Sequence, residues 1–177
     1  MNHDIHLWVA RLFLVGLVIF AVYYPWTFLY YQWSFSFSGP EGWQGHWMVD
    51  QSALVPFGHR LMFFVIWLPA VVATELMVLF AIWLSVLVLR GIHFELSTVR
   101  ALQRVGLSAA VAGASMIVAM CFADWMLTAY NAENIRPIRL HLESGEIGVF
   151  LSGAGVYLLG HVVKVTALMA RENKEFV

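Results

Sequence analysis

A chain of 177 residues with 61% hydrophobic and 12% charged side chains is too apolar for a water-soluble domain, because such domains carry about 25% charged residues. The net charge of −1 removes any global electrostatic case for nucleic-acid binding. A single cysteine, Cys121, excludes an intramolecular disulfide and any CxxC metal or redox motif. The composition predicts one all-α integral membrane domain with room for about four spans of roughly 20 residues.

The first apolar run, LWVARLFLVGLVIFAVYYPWTFLYY, covers residues 7–31. It is too long for a signal-peptide core and has neither a basic start nor a small-residue cleavage site behind it, so it is expected as a retained span. Arg11 is placed to snorkel to one interface, and the aromatic cluster from Tyr23 to Trp33 suits the other. Pro25 is expected to kink or end the helix. Residues 32–55 are rich in Gly, Ser and Trp without a period, which predicts a loop lying on the membrane surface.

Between Arg60 and Arg90 stand 29 residues without Lys or Arg, interrupted by Pro69 and Glu75. As one helix they would measure about 43 Å, beyond the ~30 Å of hydrocarbon in a bilayer. A division at Pro69 predicts an interfacial helix over 57–68 and a second span over 70–89. A long tilted or kinked helix is the alternative.

RGIHFELSTVRALQRVG, residues 90–106, is the one long stretch that reads like a soluble helix. Gly91 should break the preceding span. Val99, Leu102 and Val105 recur at helical spacing with Arg100, Gln103 and Arg104 between them, predicting a helix over 97–105 capped by Ser97 or Thr98. A third span follows over 106–130, a polar loop with Pro137 over 131–146, a fourth span over 147–170, and a charged tail.

Basic residues orient this arrangement. Arg90, Arg100 and Arg104 fall in the connection between the second and third spans, and Lys164, Arg171 and Lys174 near the C-terminus. The 32–56 loop has no Lys or Arg; Arg136 and Arg139 in the other loop weaken the asymmetry. The positive-inside rule then predicts an antiparallel four-helix bundle with both termini in the cytoplasm. Arg90, Arg100 and Arg104 become the candidate cytoplasmic contact surface. A cytoplasmic extension of the third span, whose arginines fix topology and touch lipid phosphates, is the plainer account of the same residues.

Glu75 is the costliest residue to place in lipid, at about 2.5–3.5 kcal/mol near mid-bilayer. His161 and Lys164 share a face of the fourth span at i and i+3. The three form a candidate intramembrane polar site, with a proton path through Glu75 and His161 as its functional reading. Structural readings stand beside it: a hydrogen-bonded Glu75, a packing His161 and a snorkelling Lys164. Bis-histidine haem would need two histidines at one depth, which His59 and His161 do not offer. His3, Asp4 and His6 have no specific ligand spacing, so neither cofactor nor metal is expected. Gly106, Ala110 and Ala114 in the third span and Gly148, Ser152 and Gly155 in the fourth form small-residue stripes. These predict close antiparallel packing of the two spans, or a homodimer contact.

GIHFELSTVRALQRVG, entered from LVLRG, resembles the signature of the bacterial membrane family catalogued as domain of unknown function 2975. In that family a Gly, a Phe two or three residues on, and a helix like enVrrLrriG join the second and third spans. Gly91, Phe94, Val99, Arg100, Leu102, Arg104 and Gly106 occupy those places here, with His93 and Glu95 as departures. WLPAVVATELMVLFAIWLSVLVLRG and the tail ARENKEFV, with Glu172, Asn173, Phe176 and Val177, are similar to two further elements, so the resemblance covers residues 56–177. It implies a multi-pass protein of the bacterial plasma membrane without an established catalytic site, some of whose relatives pair with small helix-turn-helix regulators. The expected function is therefore non-enzymatic: contact with a cytoplasmic protein partner from within the lipid bilayer. A small transporter or proton-linked channel component using Glu75, and an accessory subunit of a membrane complex, are the alternatives.

Overall fold

The computed structural model describes residues 3–37, 56–91, 95–128 and 144–175. They form α1 (His3–Phe37), α2 (Phe57–Leu89), α3 (Leu96–Thr128) and α4 (Ser144–Glu175). Each helix contains a segment long and apolar enough to cross a membrane: Leu7–Tyr30, Phe57–Leu89, Leu96–Ala123 and Ser144–Met169. Residues 38–55 and 129–143, which hold most of the expected loops, lie outside the described residues, as do His93, Phe94, Phe176 and Val177.

Three expected boundaries move. Pro25 does not end α1, which runs on to Phe37 over the start of the expected loop. Pro69 does not divide α2; the pieces expected over 57–68 and 70–89 are one helix of 33 residues, about 50 Å long. Proline removes one backbone donor and clashes with one carbonyl, and the apolar residues on both sides favour continuation. The polar helix over 97–105 is likewise not separate, but the first turns of α3. Ser97 does not cap it: its hydroxyl is buried without a partner, inside a helix that starts at Leu96. The break before α3 falls where expected. Gly91 has φ +78°, its amide bonds the Val88 carbonyl at 3.0 Å, and that left-handed turn is one only glycine adopts without strain.

The helices stand in a row. α1 packs on α2, α2 on α3 and α3 on α4, while no other pair approaches among the described residues. The closed bundle expected from the sequence is thus an open layer, and burial follows neighbour number. A third of the α2 and α3 spans is buried (33% each), against 11% for α4 and none of α1. Apolar side chains cover the outside of all four helices, with Val22 73% and Trp26 72% exposed on α1.

The tightest contact is between α3 and α4, which run antiparallel with Gln103 opposite Gly160, Gly106 opposite Tyr157, Ala110 opposite Gly153 and Gly113 opposite Phe150. A methyl group on Gly106 would lie 2.8 Å from the Gly153 carbonyl oxygen, and one on Gly113 would lie 2.6 Å from the Phe150 amide nitrogen. A methyl on Gly153 would strike the backbone of Ala109 and Ala110. On α3, Gly106 and Ala110 belong to the expected stripe, with Ala114 half-buried at its side. On α4 the contact uses Gly153 and Gly160 instead of Gly148, Ser152 and Gly155. A side chain at Gly148 or Gly155 meets nothing within 4 Å, and Ser152 is exposed. The separation of Gly153 and Gly160 by seven residues keeps both on one seam of the helix.

Replacing Gly153 or Gly106 by alanine should therefore force the two backbones apart at about 1–3 kcal/mol. The fraction that stays monodisperse in mild detergent on heating should fall. Gly155→Ala, Gly148→Ala and Ser152→Leu should leave it unchanged, and equal losses in both sets would contradict this seam.

Candidate functional site

Two polar constellations stand out against the apolar background, one at mid-span and one at a helix end.

At mid-span, Glu75 lies near the centre of α2, half-buried, with its Oε1 shielded from solvent and without a hydrogen-bond partner. Its neighbour Thr74 is buried and donates its hydroxyl to the Ala70 carbonyl at 2.8 Å, a return to its own helix that suits apolar surroundings. Tyr24 of α1 faces Thr74 and Glu75 across the α1–α2 contact, close enough for polar interaction with both. The polar seam is thus between α1 and α2. His161 and Lys164 are on α4, which does not touch α2, so the expected grouping of Glu75 with His161 and Lys164 is not assembled within one chain. His161 is exposed and Lys164 half-buried on α4. An unpaired carboxylate oxygen in such a place costs stability.

At the end where α2 meets α3, the three expected arginines have three different surroundings. Arg90 is the exposed C-cap of α2, its amide bonded to the Val86 carbonyl at 3.1 Å. A cation there complements the negative end of the helix dipole. Arg104 is exposed, but its guanidinium stands over two rings of α2, 5.4 Å from the centroid of Phe80 and 5.6 Å from that of Trp83. Such cation–π contacts contribute about 0.5–1 kcal/mol at exposed sites. Arg100 is exposed and makes no ion pair among the described residues. Together with Gln103, Leu107 and Tyr157 of α4, Arg100 and Arg104 line an open groove of about 120 Å³.

No family model, curated protein or solved structure matches this chain. The site is accordingly argued from its own residues.

Gly160 shapes the groove floor. A methyl group on it would lie 2.8 Å from Gln103 Cγ, so the bare glycine lets Gln103 rest against the α4 backbone. Sequence reasoning selected Arg100 and Arg104, with Gln103 between them and Thr74 as a hydroxyl for Glu75, but passed over Leu107, Tyr157, Phe80, Trp83 and Tyr24. One signal was available: residues 100, 103, 104 and 107 fall at i, i+3, i+4 and i+7, one stripe of a helix. The residues supplied by α2 and α4 had no such signal.

Chemically, the groove offers planar guanidinium donors suited to oxyanions, and the mid-span seam offers a carboxyl group with an uncommitted oxygen. Removing that oxygen should help the fold: Glu75→Met should raise the thermal midpoint in detergent. Tyr24→Phe, which deletes the hydroxyl facing Thr74 and Glu75, should lower stability by at most about 1 kcal/mol. A lower midpoint for Glu75→Met would mean that the carboxyl group is held by a partner.

Proposed function

We propose that this chain is a multi-pass protein of the bacterial plasma membrane, with both termini and the start of α3 on the cytoplasmic side, acting through contact with another protein. The observation that carries this reading is the open row. α1 and α4 each have one neighbour, and no other pair of helices closes around a pathway among the described residues. A row of this kind presents two outer helices and two broad faces to whatever lies beside it, as an accessory or regulatory subunit would.

Charge supports the orientation. Arg90, Arg100, Arg104 and Lys164 stand at the same end of the α2–α3–α4 array, and Arg171 and Lys174 occupy the last turns of α4 at that end. At the opposite ends, Arg60 is in the first turn of α2 while Asp124 and Glu146 fall near the end of α3 and the start of α4. That asymmetry supports an orientation with the basic end inside, by the positive-inside rule. The resemblance to the family catalogued as domain of unknown function 2975 adds a partner class to the proposal, a cytoplasmic helix-turn-helix regulator docking at the basic end.

A second reading has its own support. The Oε1 of Glu75 is shielded and without a hydrogen-bond partner, and a carboxyl group at mid-span is functional by default. On this reading the α1–α2 seam binds a proton as part of a larger transporter, and Glu75→Gln would abolish proton-coupled activity of that complex.

Membrane discs cut out with native lipid test the first reading. The protein mass per particle should exceed the 20.1 kDa of one chain, with a second polypeptide present at fixed ratio. Particles holding a single chain alone would overturn it. A reporter fused after Glu95 should be active only in the cytoplasm, and periplasmic activity would reverse the orientation.

A further inference from the structure

The groove between α3 and α4 changes character along its length. At the helix end it is lined by Arg100, Gln103 and Arg104, and toward mid-span by Leu107 and Tyr157. Arg100 and Leu107 are separated by two turns of one helix face, about 10 Å, so the cationic and apolar parts are stacked along the membrane normal of the proposed orientation.

Neither Arg100 nor Arg104 has an ion pair among the described residues. Glu95, exposed, stands immediately before α3, and the first turn itself carries no acidic residue. The Arg104 guanidinium stands over Phe80 and Trp83 of α2, 5.4 and 5.6 Å from their ring centroids. Among the described residues no acidic side chain lines the groove, so none of them would receive an ammonium group.

A soluble oxyanion would use only the polar half. A phospholipid would use both, because its phosphate is attached to a glycerol and acyl chains that run toward the bilayer centre. From this geometry we infer that the groove is a binding site for an anionic phospholipid. Arg100 and Arg104 take the phosphate oxygens, Gln103 donates its amide to a neighbouring headgroup or glycerol oxygen, and Leu107 and Tyr157 pack on the start of the acyl chains. This rests on the proposal that the chain crosses a bilayer. It gives the basic residues a lipid ligand in addition to any protein that docks nearby.

Mass spectrometry of the full chain released intact from detergent, after incubation with phosphatidylglycerol or phosphatidylcholine, tests the inference. Wild type should retain phosphatidylglycerol and release phosphatidylcholine, and excess inorganic phosphate should not displace the lipid. Arg100→Gln and Arg104→Gln should each weaken retention about tenfold, as expected for the loss of one charged hydrogen-bond donor group. Arg90→Gln, outside the groove, should retain lipid like wild type. The Arg100→Lys/Arg104→Lys double variant keeps the charge and guards against misfolding; it should fall between wild type and the Gln variants.

Retention of phosphatidylglycerol by the two Gln variants at the wild-type level would overturn the site, as would its displacement by inorganic phosphate, which would identify a soluble anion as the ligand. Failure of the underlying membrane reading shows separately, as protein that leaves the membrane fraction without detergent.

Discussion

Two helices in lipid gain little by hiding apolar side chains from each other, because the surrounding acyl chains are equally apolar. Contact then depends on how closely the backbones approach and how many dispersion contacts follow. On the membrane-spanning reading, this constraint organises the structure, and it is met best between α3 and α4. Gly106 and Gly113 on one helix and Gly153 and Gly160 on the other let backbone meet backbone where a methyl group would collide. The same approach builds the groove. Without a bare Gly160, Gln103 could not lie against α4, and Tyr157, opposite Gly106, could not close the wall beside Leu107.

The α1–α2 contact uses other means. None of the α1 span is buried, and no glycine of α1 or α2 has a side-chain position that would meet a neighbouring helix. Where α1 meets α2, the polar groups that face each other are Tyr24 on one side and Thr74 and Glu75 on the other. Interhelical polar contacts in membranes contribute about 0.6 kcal/mol on average, so this is a weaker attachment than interlocking backbones.

The sequence displayed much of the fold because its strongest signals are one-dimensional. Apolar length marks each long helix, and Gly91 supplies a turn that other residues resist, so the four apolar stretches and the α2–α3 break were readable. Helix continuity was less so: Pro69 and Pro25 carry a local penalty, but whether a helix absorbs it depends on surroundings that a local pattern does not contain. Lateral neighbours were least legible. Helical rise gave the depths of Glu75 and His161, yet depth does not say which helices touch, and α2 and α4 do not. The α4 stripe failed for a related reason. The run SGAG at 152–155 contains small residues facing several directions, and only the partner helix selects Gly153 over its neighbours.

The three arginines show what this difference means for function. As a sequence feature, Arg90, Arg100 and Arg104 are equivalent positive charges that set topology. In the structure Arg90 complements the end of the α2 dipole and Arg104 rests on Phe80 and Trp83, so part of the charge of each already has a structural use. Arg100 has neither arrangement among the described residues. It lies in the second turn of α3 and makes no ion pair among the described residues. A charge in that position is accounted for if its counterion comes from outside the chain, and on the membrane-spanning reading the anion at hand at the end of a helix is a lipid phosphate.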